Sequence, residues 1–469
     1  MKKRLLCLSL VVCLIFTVLA GCKKSEEAVD SDPSKVSLSV GGWPSKEGDA
    51  LDNMNKQKEA FEKKYPDVTI VGDTWTFDRQ TFQAKAAANL LPNVFETGVT
   101  EMAANIEQGY TADVTDALKK HGYYDYINPY MKKIIEKDGR VYSLPMTFYA
   151  MGIAYNVSLF EKAGLMNDDG PPIYPKTWEE LAKTAKKIKD KTGVAGFVFP
   201  TTSNNGGWMF TNLAWSYGVE FMKQDKNGNW KATFGTKECA KALQYIKDLK
   251  WKYDVLPANK LIDGVELYKT YAVGQAAMVM AADVIHQRVS AYDMDINDVG
   301  MFPMVAGPKG RFSMLGGGVM NISANSNEKQ IDAAINWLAD LGKCTPYLTE
   351  PGKAYIENSY KARAEDNQFI GTIPPSAWTI DSEVDKFTNE MINKYRNTDE
   401  NHYKAFNDSL TDGSVEFHLE EPVCCQDLYA VLDDCIQKVL NDKNADCLKI
   451  VKEANKLFQT GYLDNFNNN

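Results

Sequence analysis

Short strand-like runs alternate with helical runs between residues 36 and 95, and this order constrains the fold more than any other feature. Residues 36–40 alternate apolar and polar side chains, residues 68–71 form a second apolar run, and residues 92–95 start a third. Between these runs, apolar residues recur at helical spacing over residues 51–65 and 81–90. A strand–helix–strand–helix–strand order predicts a parallel sheet covered by helices.

The same α/β signal returns after residue 177 and predicts a second lobe. Thr177 and Glu180 have the spacing of a capping box, and Gly193 lies just past the end of the helix that they would begin. Residues 195–199 predict a strand, and Asn227-Gly228 predicts the turn of a hairpin. Because no period of 20 to 50 residues recurs, a solenoid of repeats is not expected.

The charge of the chain argues against nucleic-acid binding. The 469 residues carry 53 Lys and Arg against 62 Asp and Glu, a net charge of −9. The first 21 residues hold three basic side chains and no acidic one, so without them the net charge is −12. Such an acidic surface repels a phosphate backbone.

The N-terminus has the pattern of an export signal. Three basic residues precede an apolar run over residues 5–20, which is short for a membrane span. The sequence Leu19-Ala20-Gly21-Cys22 resembles the lipobox of bacterial lipoproteins, which implies cleavage of residues 1–21 and palmitate-type lipidation of Cys22. The alternative is a plain signal peptide with a chance cysteine. Residues 22–35 are too polar to build a core and predict a flexible tether.

Six cysteines remain after residue 22, and their spacings fit no zinc template. Disulfides are possible in an exported chain, and an adjacent Cys424–Cys425 bridge is one option. Cys435 lies on an apolar helical stripe, which favours a buried thiol there. The sequence leaves the disulfide state of all six open: Cys239, Cys344, Cys424, Cys425, Cys435 and Cys447.

No motif of catalysis or cofactor binding is present in the sequence. HExxH, GxSxG, Walker A and GxGxxG patterns are all missing, and the four histidines are scattered. No metal or cofactor is therefore expected. Glycosidases have no short sequence motif, so a catalytic pair of carboxylates stays an open alternative. Gly316-Gly317-Gly318 has two readings of equal weight: a strand entry with unusual dihedral angles, or backbone N–H groups that face a ligand.

Aromatic residues near predicted loops point to a carbohydrate site. A sugar ring has an apolar C–H face and a rim of hydroxyls, so its site needs flat aromatic faces beside planar polar groups. For each of these residues, packing in the core is the alternative. The candidates are Trp43, Trp75, Tyr149, Trp208, Trp215 and Trp378.

Several blocks, taken in order, resemble the extracellular solute-binding proteins of ABC importers, in the mostly sugar-binding branch (family 1) that includes maltose-binding protein. The resemblance covers most of residues 36–466. Its blocks are residues 61–68 (FEKKYPDV), 91–95 (LPNVF), 139–145 (GRVYSLP), 175–181 (PKTWEEL), 299–303 (VGMFP) and 322–326 (ISANS).

The resemblance implies an α/β fold of two lobes that are joined by hinge crossings and that enclose a ligand cleft. It places the crossings near Pro145, Pro303 and Cys344. The expected first lobe comprises residues 36–145 and 304–344, and the second comprises residues 146–303 and 345–469. Residues 347–417 fit the family pattern poorly.

The resemblance also suggests positions that contact the ligand. They come from the loop after the third strand, the first crossing, the loop of residues 200–208 and the block that starts at Met278. Asp283 stands where an aromatic residue is common, and Leu428 replaces a tryptophan of maltose-binding protein, so maltose itself is not indicated. The candidate residues are Trp43, Glu96, Thr97, Tyr149, Thr202, Trp208, Asp283, Gly317 and Trp378.

Taken together, these features predict a monomeric, non-enzymatic receptor that is anchored to the outer face of the cell membrane by lipid on Cys22. It would capture a carbohydrate, of oligosaccharide size, by hinge closure and deliver it to an ABC permease. The alternatives are a receptor for another small solute, such as a sugar phosphate or a peptide, and a surface-anchored glycoside hydrolase.

Overall fold

The structure, a computed structural model, describes residues 35–259, 261–379 and 382–468. The leader, Cys22 and nearly all of the tether lie outside these residues. Among the described residues, no helix is both long and apolar enough to cross a membrane. The architecture is the expected two-lobed α/β fold, built on one large mixed sheet whose main strands lie side by side in the order 299–303, 144–156, 312–322, 94–98, 36–40 and 68–72.

The strands differ widely in length, and the longest runs through the middle of the sheet. They are β1 Val36–Val40, β2 Val68–Gly72, β3 Val94–Gly98, β4 Glu136–Lys137, β5 Arg140–Val141, β6 Leu144–Asn156, β7 Met222–Gln224, β8 Trp230–Ala232, β9 Met278–Ala282, β10 Val299–Pro303, β11 Phe312–Ile322 and β12 Glu416–Leu419.

The helices are distributed along the whole described chain, and two long ones lie near its end. They are α1 Asp49–Lys64, α2 Arg79–Ala87, α3 Met102–Glu107, α4 Thr115–Lys120, α5 Pro129–Ile135, α6 Val157–Lys162, α7 Trp178–Thr192, α8 Asn205–Ser216, α9 Lys237–Trp251, α10 Gly264–Ala272, α11 Ile285–Val289, α12 Glu328–Asp340, α13 Glu350–Glu365, α14 Glu383–Tyr395, α15 Lys404–Ser409, α16 Cys425–Asn441, α17 Cys447–Phe458 and α18 Asp464–Asn467.

The parallel sheet predicted from the strand and helix runs of residues 36–95 is confirmed. Strand β1 pairs in parallel with β2 and with β3. Asn93, just before β3, accepts hydrogen bonds from the backbone N–H and the hydroxyl of Ser39 at 2.9 and 2.8 Å, which fixes β3 beside β1. The carboxyl ends of these three strands therefore open on the same edge of the sheet.

Strand β6 connects the two halves of the large sheet. Its first residues, Leu144 to Ala150, pair with β11, whereas Met151 to Asn156 pair with β9 and β10. Strand β10 returns antiparallel to β6, with Pro303 opposite Gly152. Ten of the 13 residues of β6 are buried, and the strand is a structural element that both halves share.

Local signals in the second half of the chain were partly correct. Thr177 caps α7 by accepting the N–H of Glu180, and Gly193 ends the helix with φ 75°. The Asn227-Gly228 hairpin is confirmed by the pairing of β7 with β8. The prediction of a strand at residues 195–199 is wrong. Only Ala195 and Val198 pair there, and they form single bridges to Ala276 and Val279.

The described residues of the segment 345–409 pack against residues 123–128 and against β10. Near its middle, Trp378 contacts Tyr123 edge to face at 5.9 Å, and the amide of Asn128 donates to Ser376 O at 3.0 Å. Further along, Tyr403 donates its hydroxyl to Val299 O of β10. This segment is therefore folded onto the domain and is not a peripheral extension.

None of the six cysteines among the described residues forms a disulfide. Cys435 is buried, as its helical stripe predicts. Cys424 and Cys425 are not bridged, and Cys424 adopts a left-handed conformation with φ 48° where it precedes α16. Packing and hydrogen bonds, rather than disulfides, therefore hold the described part of the chain together.

Candidate functional site

Tyr149 and Trp208 form an edge-to-face pair at 6.4 Å, and two cavities meet at this pair. The first, called the central cavity, has a volume of about 250 Å³. The second, called the side cavity, has a volume of about 650 Å³. Tyr149, Ser203, Asn205 and Trp208 line both cavities.

The central cavity is lined by residues from distant parts of the chain. The end of β3, the middle of β11 and the crossing strand β6 form one side, and the starts of α8 and α16 form the other. Its lining residues are Gly98, Val99, Thr100, Tyr149, Ser203, Asn204, Asn205, Trp208, Gly317, Glu420, Gln426 and Tyr429. A ligand in this cavity would thus contact both halves of the molecule.

Two glycines set the position of Trp208. A Cβ at Gly207 would lie 2.1 Å from Tyr429 O, and one at Gly206 would lie 2.5 Å from a carboxylate oxygen of Asp433. Helix α8 therefore packs closely on α16 through its first turn, and Trp208 is left half-buried at the cavities. Trp208 lies inside a helix, as the core-packing alternative proposed, but it also lines both cavities.

Unusual dihedral angles do not explain the three consecutive glycines of β11. None of the three has a positive φ, so that reading is wrong. A Cβ at Gly316 would lie 2.2 Å from the ring of Tyr149, and one at Gly317 would lie 2.1 Å from Thr147 O. The glycines allow β11 to approach β6 closely and leave room for the Tyr149 ring, and Gly317 lines the central cavity.

A third cavity, called the tryptophan pocket, lies at the carboxyl ends of β1, β2 and β3. Its volume is about 430 Å³, and its lining includes Trp43, Trp75, Glu96 and Thr97. Trp43 stacks on Trp337 of α12 at 6.1 Å. Burial raises the pKa of Glu96, and the charge of Lys343, which also lines the pocket, opposes this shift. The pocket thus combines indole faces with one carboxyl and one ammonium group.

Three candidate residues lie outside these cavities. Asp283 is 1% exposed, accepts the N–H of Ala150 at 3.3 Å, and has its pKa raised to about 8 by burial. Trp378 is 3% exposed and packs on Tyr123 in the core. Thr202 is half-buried, and its carbonyl accepts the N–H of Asn205 at 3.2 Å.

The remaining candidates divide into two groups. The structure brings Tyr149, Trp208 and Gly317 together at the central cavity. It brings Trp43, Glu96 and Thr97 together at the tryptophan pocket. The Thr97 hydroxyl already accepts a hydrogen bond from the side-chain amide of Asn321 at 2.9 Å. Thr97 therefore also links β3 to β11 within the sheet.

Glu420, Gln426 and Tyr429 are among the central-cavity residues that sequence reasoning missed. Gln426 and Tyr429 lie one helical turn apart on α16, so they present their side chains on the same face. Leu428, the position compared with a tryptophan of maltose-binding protein, is fully buried in the core instead. Helical spacing from Gln426 would have pointed to Tyr429, but no local pattern marks Glu420.

Comparisons with known proteins agree with this architecture. The melibiose/raffinose/stachyose-binding protein MelE of Bacillus subtilis is 29% identical over 185 residues, which are 39% of this chain and 40% of MelE. The sn-glycerol-3-phosphate-binding periplasmic protein UgpB of Escherichia coli K12 is 24% identical over 320 residues, 64% of this chain and 69% of UgpB. These relatives are solute-binding proteins, not enzymes.

Solved structures share the fold. An ABC substrate-binding protein of Listeria monocytogenes in complex with cycloalternan superposes with a TM-score of 0.64 at 19% identity, over 91% of this chain and all of that chain. The family of bacterial extracellular solute-binding proteins matches residues 43–342. Because this match spans well over half of the 469 residues, the chain belongs to the bacterial extracellular solute-binding proteins.

Proposed function

We propose that the chain is the substrate-binding component of an ABC importer and that it captures a carbohydrate of oligosaccharide size. The observation that carries this proposal is the Tyr149–Trp208 pair at the junction of two cavities. The two rings present apolar surface to both cavities at once. Aromatic faces of this kind suit the apolar C–H face of a sugar ring.

The polar lining of the central cavity supports a hydroxyl-rich ligand. Ser203, Asn204, Asn205 and Gln426 offer hydroxyl and amide groups, each of which can donate or accept hydrogen bonds. The side cavity and the tryptophan pocket, with volumes of about 650 and 430 Å³, are in the size range of small-molecule sites. The adjoining central cavity adds to this space. A ligand of several sugar units would fill more than one of the three cavities.

Hinge closure is the mechanism in this proposal. The first lobe would comprise residues 36–145 and 304–344, and the second residues 146–303 and 345–469. Ligand bound between them would stabilise the closed arrangement, which the permease would recognise. No covalent step occurs in this mechanism. Lipid on Cys22 would hold the protein, as a monomer, at the outer face of the membrane.

One relative favours a second candidate ligand. UgpB binds sn-glycerol 3-phosphate by name, so a small phosphorylated solute is the alternative to a neutral sugar. MelE, by its name, binds melibiose, raffinose and stachyose. The two classes differ in charge, and the charge of the cavity lining bears directly on the choice between them.

A thermal-shift screen tests the proposal. Purified protein lacking residues 1–21 would be heated with raffinose, stachyose, maltotriose and sn-glycerol 3-phosphate. We expect an oligosaccharide to raise the melting temperature, because a ligand that binds only the folded state stabilises it by mass action. Chromatography of the same samples checks for hydrolysis. Turnover of an oligosaccharide, or stabilisation by sn-glycerol 3-phosphate alone, would contradict the proposal.

A further inference from the structure

The tryptophan pocket contains two oppositely charged side chains from different elements. Glu96 belongs to β3, and Lys343 lies three residues after the end of α12. The charge of Lys343 opposes the rise of the Glu96 pKa that burial causes, so the two groups are close enough to influence each other. In the part of the chain that the structure describes, however, neither side chain forms a hydrogen bond or an ion pair. Both groups can therefore bind a ligand without breaking a contact.

The sheet fixes the position of Glu96. In the antiparallel pairing of β3 with β11, Glu96 lies opposite Met320, which also lines the pocket. Its neighbours along the strand, Phe95 and Thr97, belong to the other face, because successive side chains of a strand alternate. A Cβ at Gly318 would lie 3.3 Å from a carboxylate oxygen of Glu96. The missing side chain at this glycine thus leaves room for the carboxylate.

The end of α12 fixes the position of Lys343. Gly342 adopts a left-handed conformation with φ 61°, and the N–H of Lys343 donates to Leu338 O at 2.8 Å. This arrangement is typical of a helix that ends at a glycine. Leu338 and Leu341 line the pocket too, so the turn holds the backbone of Lys343 at the pocket wall. A cation is also favoured at the carboxyl end of a helix.

Two indole N–H groups of the pocket have no hydrogen-bond acceptor. Trp75 and Trp337 line the pocket, and their Nε1 atoms are buried without an acceptor among the described residues. Buried polar groups in folded proteins are nearly always hydrogen-bonded, so two such donors in one pocket call for acceptors from outside the chain. Oxygen atoms of a ligand would supply them.

The chemistry of these groups favours a neutral, hydroxyl-rich ligand. A hydroxyl group can donate to the Glu96 carboxylate and accept from the Lys343 ammonium group at the same time. Other oxygen atoms of the same sugar unit can accept from the two indoles. A phosphate group could accept from Lys343, but it would also meet the like charge of Glu96. The pair therefore matches a hydroxyl better than it matches an anion.

We propose that Glu96 and Lys343 are specificity-determining residues that together bind one hydroxyl group of a terminal sugar unit in the tryptophan pocket. The hydroxyl donates to Glu96 and accepts from Lys343. This inference rests on the proposed function and refines it by selecting a neutral sugar over a phosphorylated solute. Gly98 lines both the tryptophan pocket and the central cavity, so a ligand held at Tyr149 and Trp208 can extend into the pocket.

Titration calorimetry on the protein lacking residues 1–21 tests the assignment with raffinose and sn-glycerol 3-phosphate as probes. Glu96→Gln keeps the shape of the side chain and removes its charge, and Lys343→Met keeps an unbranched side chain without the ammonium group. The matched controls are Glu59→Gln in α1 and Lys329→Met in α12, two exposed residues that line none of the three cavities. Melting temperatures of the empty variants check that each one folds.

We expect Glu96→Gln and Lys343→Met each to weaken raffinose binding about tenfold to hundredfold, as for loss of a hydrogen bond to a charged group. The double variant should lose much less than the product of the two factors, because either change already disrupts the same hydroxyl contact. Glu96→Gln should also bind sn-glycerol 3-phosphate more tightly than the wild type does, since its ammonium group is no longer balanced, whereas Lys343→Met should not. A merely structural role would not produce this difference between the probes.

Three results would overturn the inference in distinguishable ways. Raffinose affinities of both variants within twofold of their controls would remove the assignment and leave the proposed function standing. Losses that multiply in the double variant would show that the two charged groups bind separate parts of the ligand rather than one hydroxyl. A wild-type protein that binds sn-glycerol 3-phosphate and no raffinose would overturn both the assignment and the choice of a carbohydrate ligand.

Discussion

Truncation of Trp208 separates the two roles that its position allows. The indole lies in the first turn of α8, is half-buried and lines both the central and the side cavity. If it serves as a stacking platform for a sugar ring, Trp208→Ala should weaken binding far more than it destabilises the empty protein. If it serves mainly the core, the order of the two effects is reversed.

The magnitudes follow from the burial and the ring contact. Truncating a fully buried tryptophan costs about 3–5 kcal/mol of folding free energy. A half-buried indole with one edge-to-face partner, Tyr149 at 6.4 Å, should cost roughly 1–2 kcal/mol. Loss of a stacking surface for a sugar should cost roughly 1–3 kcal/mol of binding free energy, a tenfold to hundredfold rise in Kd.

Calorimetry measures both quantities on the same samples. Scanning calorimetry of the empty protein gives the change in stability, and titration with raffinose gives the change in affinity. Two tryptophans serve as controls. Trp378→Ala removes a 3%-exposed core indole and should lower stability by the larger amount, whereas Trp251→Ala removes a 38%-exposed indole that lines none of the three cavities. A stability loss in Trp208→Ala equal to that in Trp378→Ala, with unchanged raffinose affinity, would refute the platform assignment.

Three further predictions concern anchoring, motion and pH. Cys22→Ser should release the protein from membranes into the soluble fraction, because the lipid would be its only anchor after cleavage, and a variant that stays membrane-bound would contradict the lipobox interpretation. Saturation with raffinose should reduce the radius of gyration in small-angle scattering, through closure about the crossings near Pro145 and Pro303, and an unchanged radius would count against hinge closure. Burial raises the pKa of Asp283 to about 8 in the folded state, so its contribution to stability is complete below about pH 4 and is lost as the pH rises towards 8. Asp283→Asn should therefore flatten the fall in melting temperature between pH 5 and 8, and an identical pH profile in the variant would show that Asp283 does not titrate in this way.

The fold could be predicted from the sequence to the extent that its signals are local. Period-two alternation and helical spacing within residues 36–95 were enough to predict three parallel-paired strands and the two helices between them. The same kind of signal failed at residues 195–199. An apolar run of that length suits a strand, but whether it pairs along its length depends on residues 276–279, about 80 positions away.

The site could be predicted less completely because it depends on contacts between distant residues. Trp208 was a candidate from the sequence, but its position depends on the close packing of Gly207 against Tyr429, more than 200 residues later. An aromatic residue near a predicted loop has no local feature that separates a cavity wall from a core. Trp208 and Trp378 were both candidates, but Trp208 lines the central cavity whereas Trp378 is buried in the core.

The central cavity connects the fold to the proposed closure. It takes its glycine wall from β11 and its aromatic pair from β6 and α8. Tyr149 and Gly317 both lie on strands that run through the middle of the large sheet, so a ligand that contacts them also contacts the elements about which the proposed closure occurs. Closure would expel water from the cavity, and hydrogen bonds between its polar lining and the ligand would then be stronger than in the open form, because the local dielectric constant is lower. The affinity for the ligand would therefore be highest in the closed form, the one that the permease would recognise.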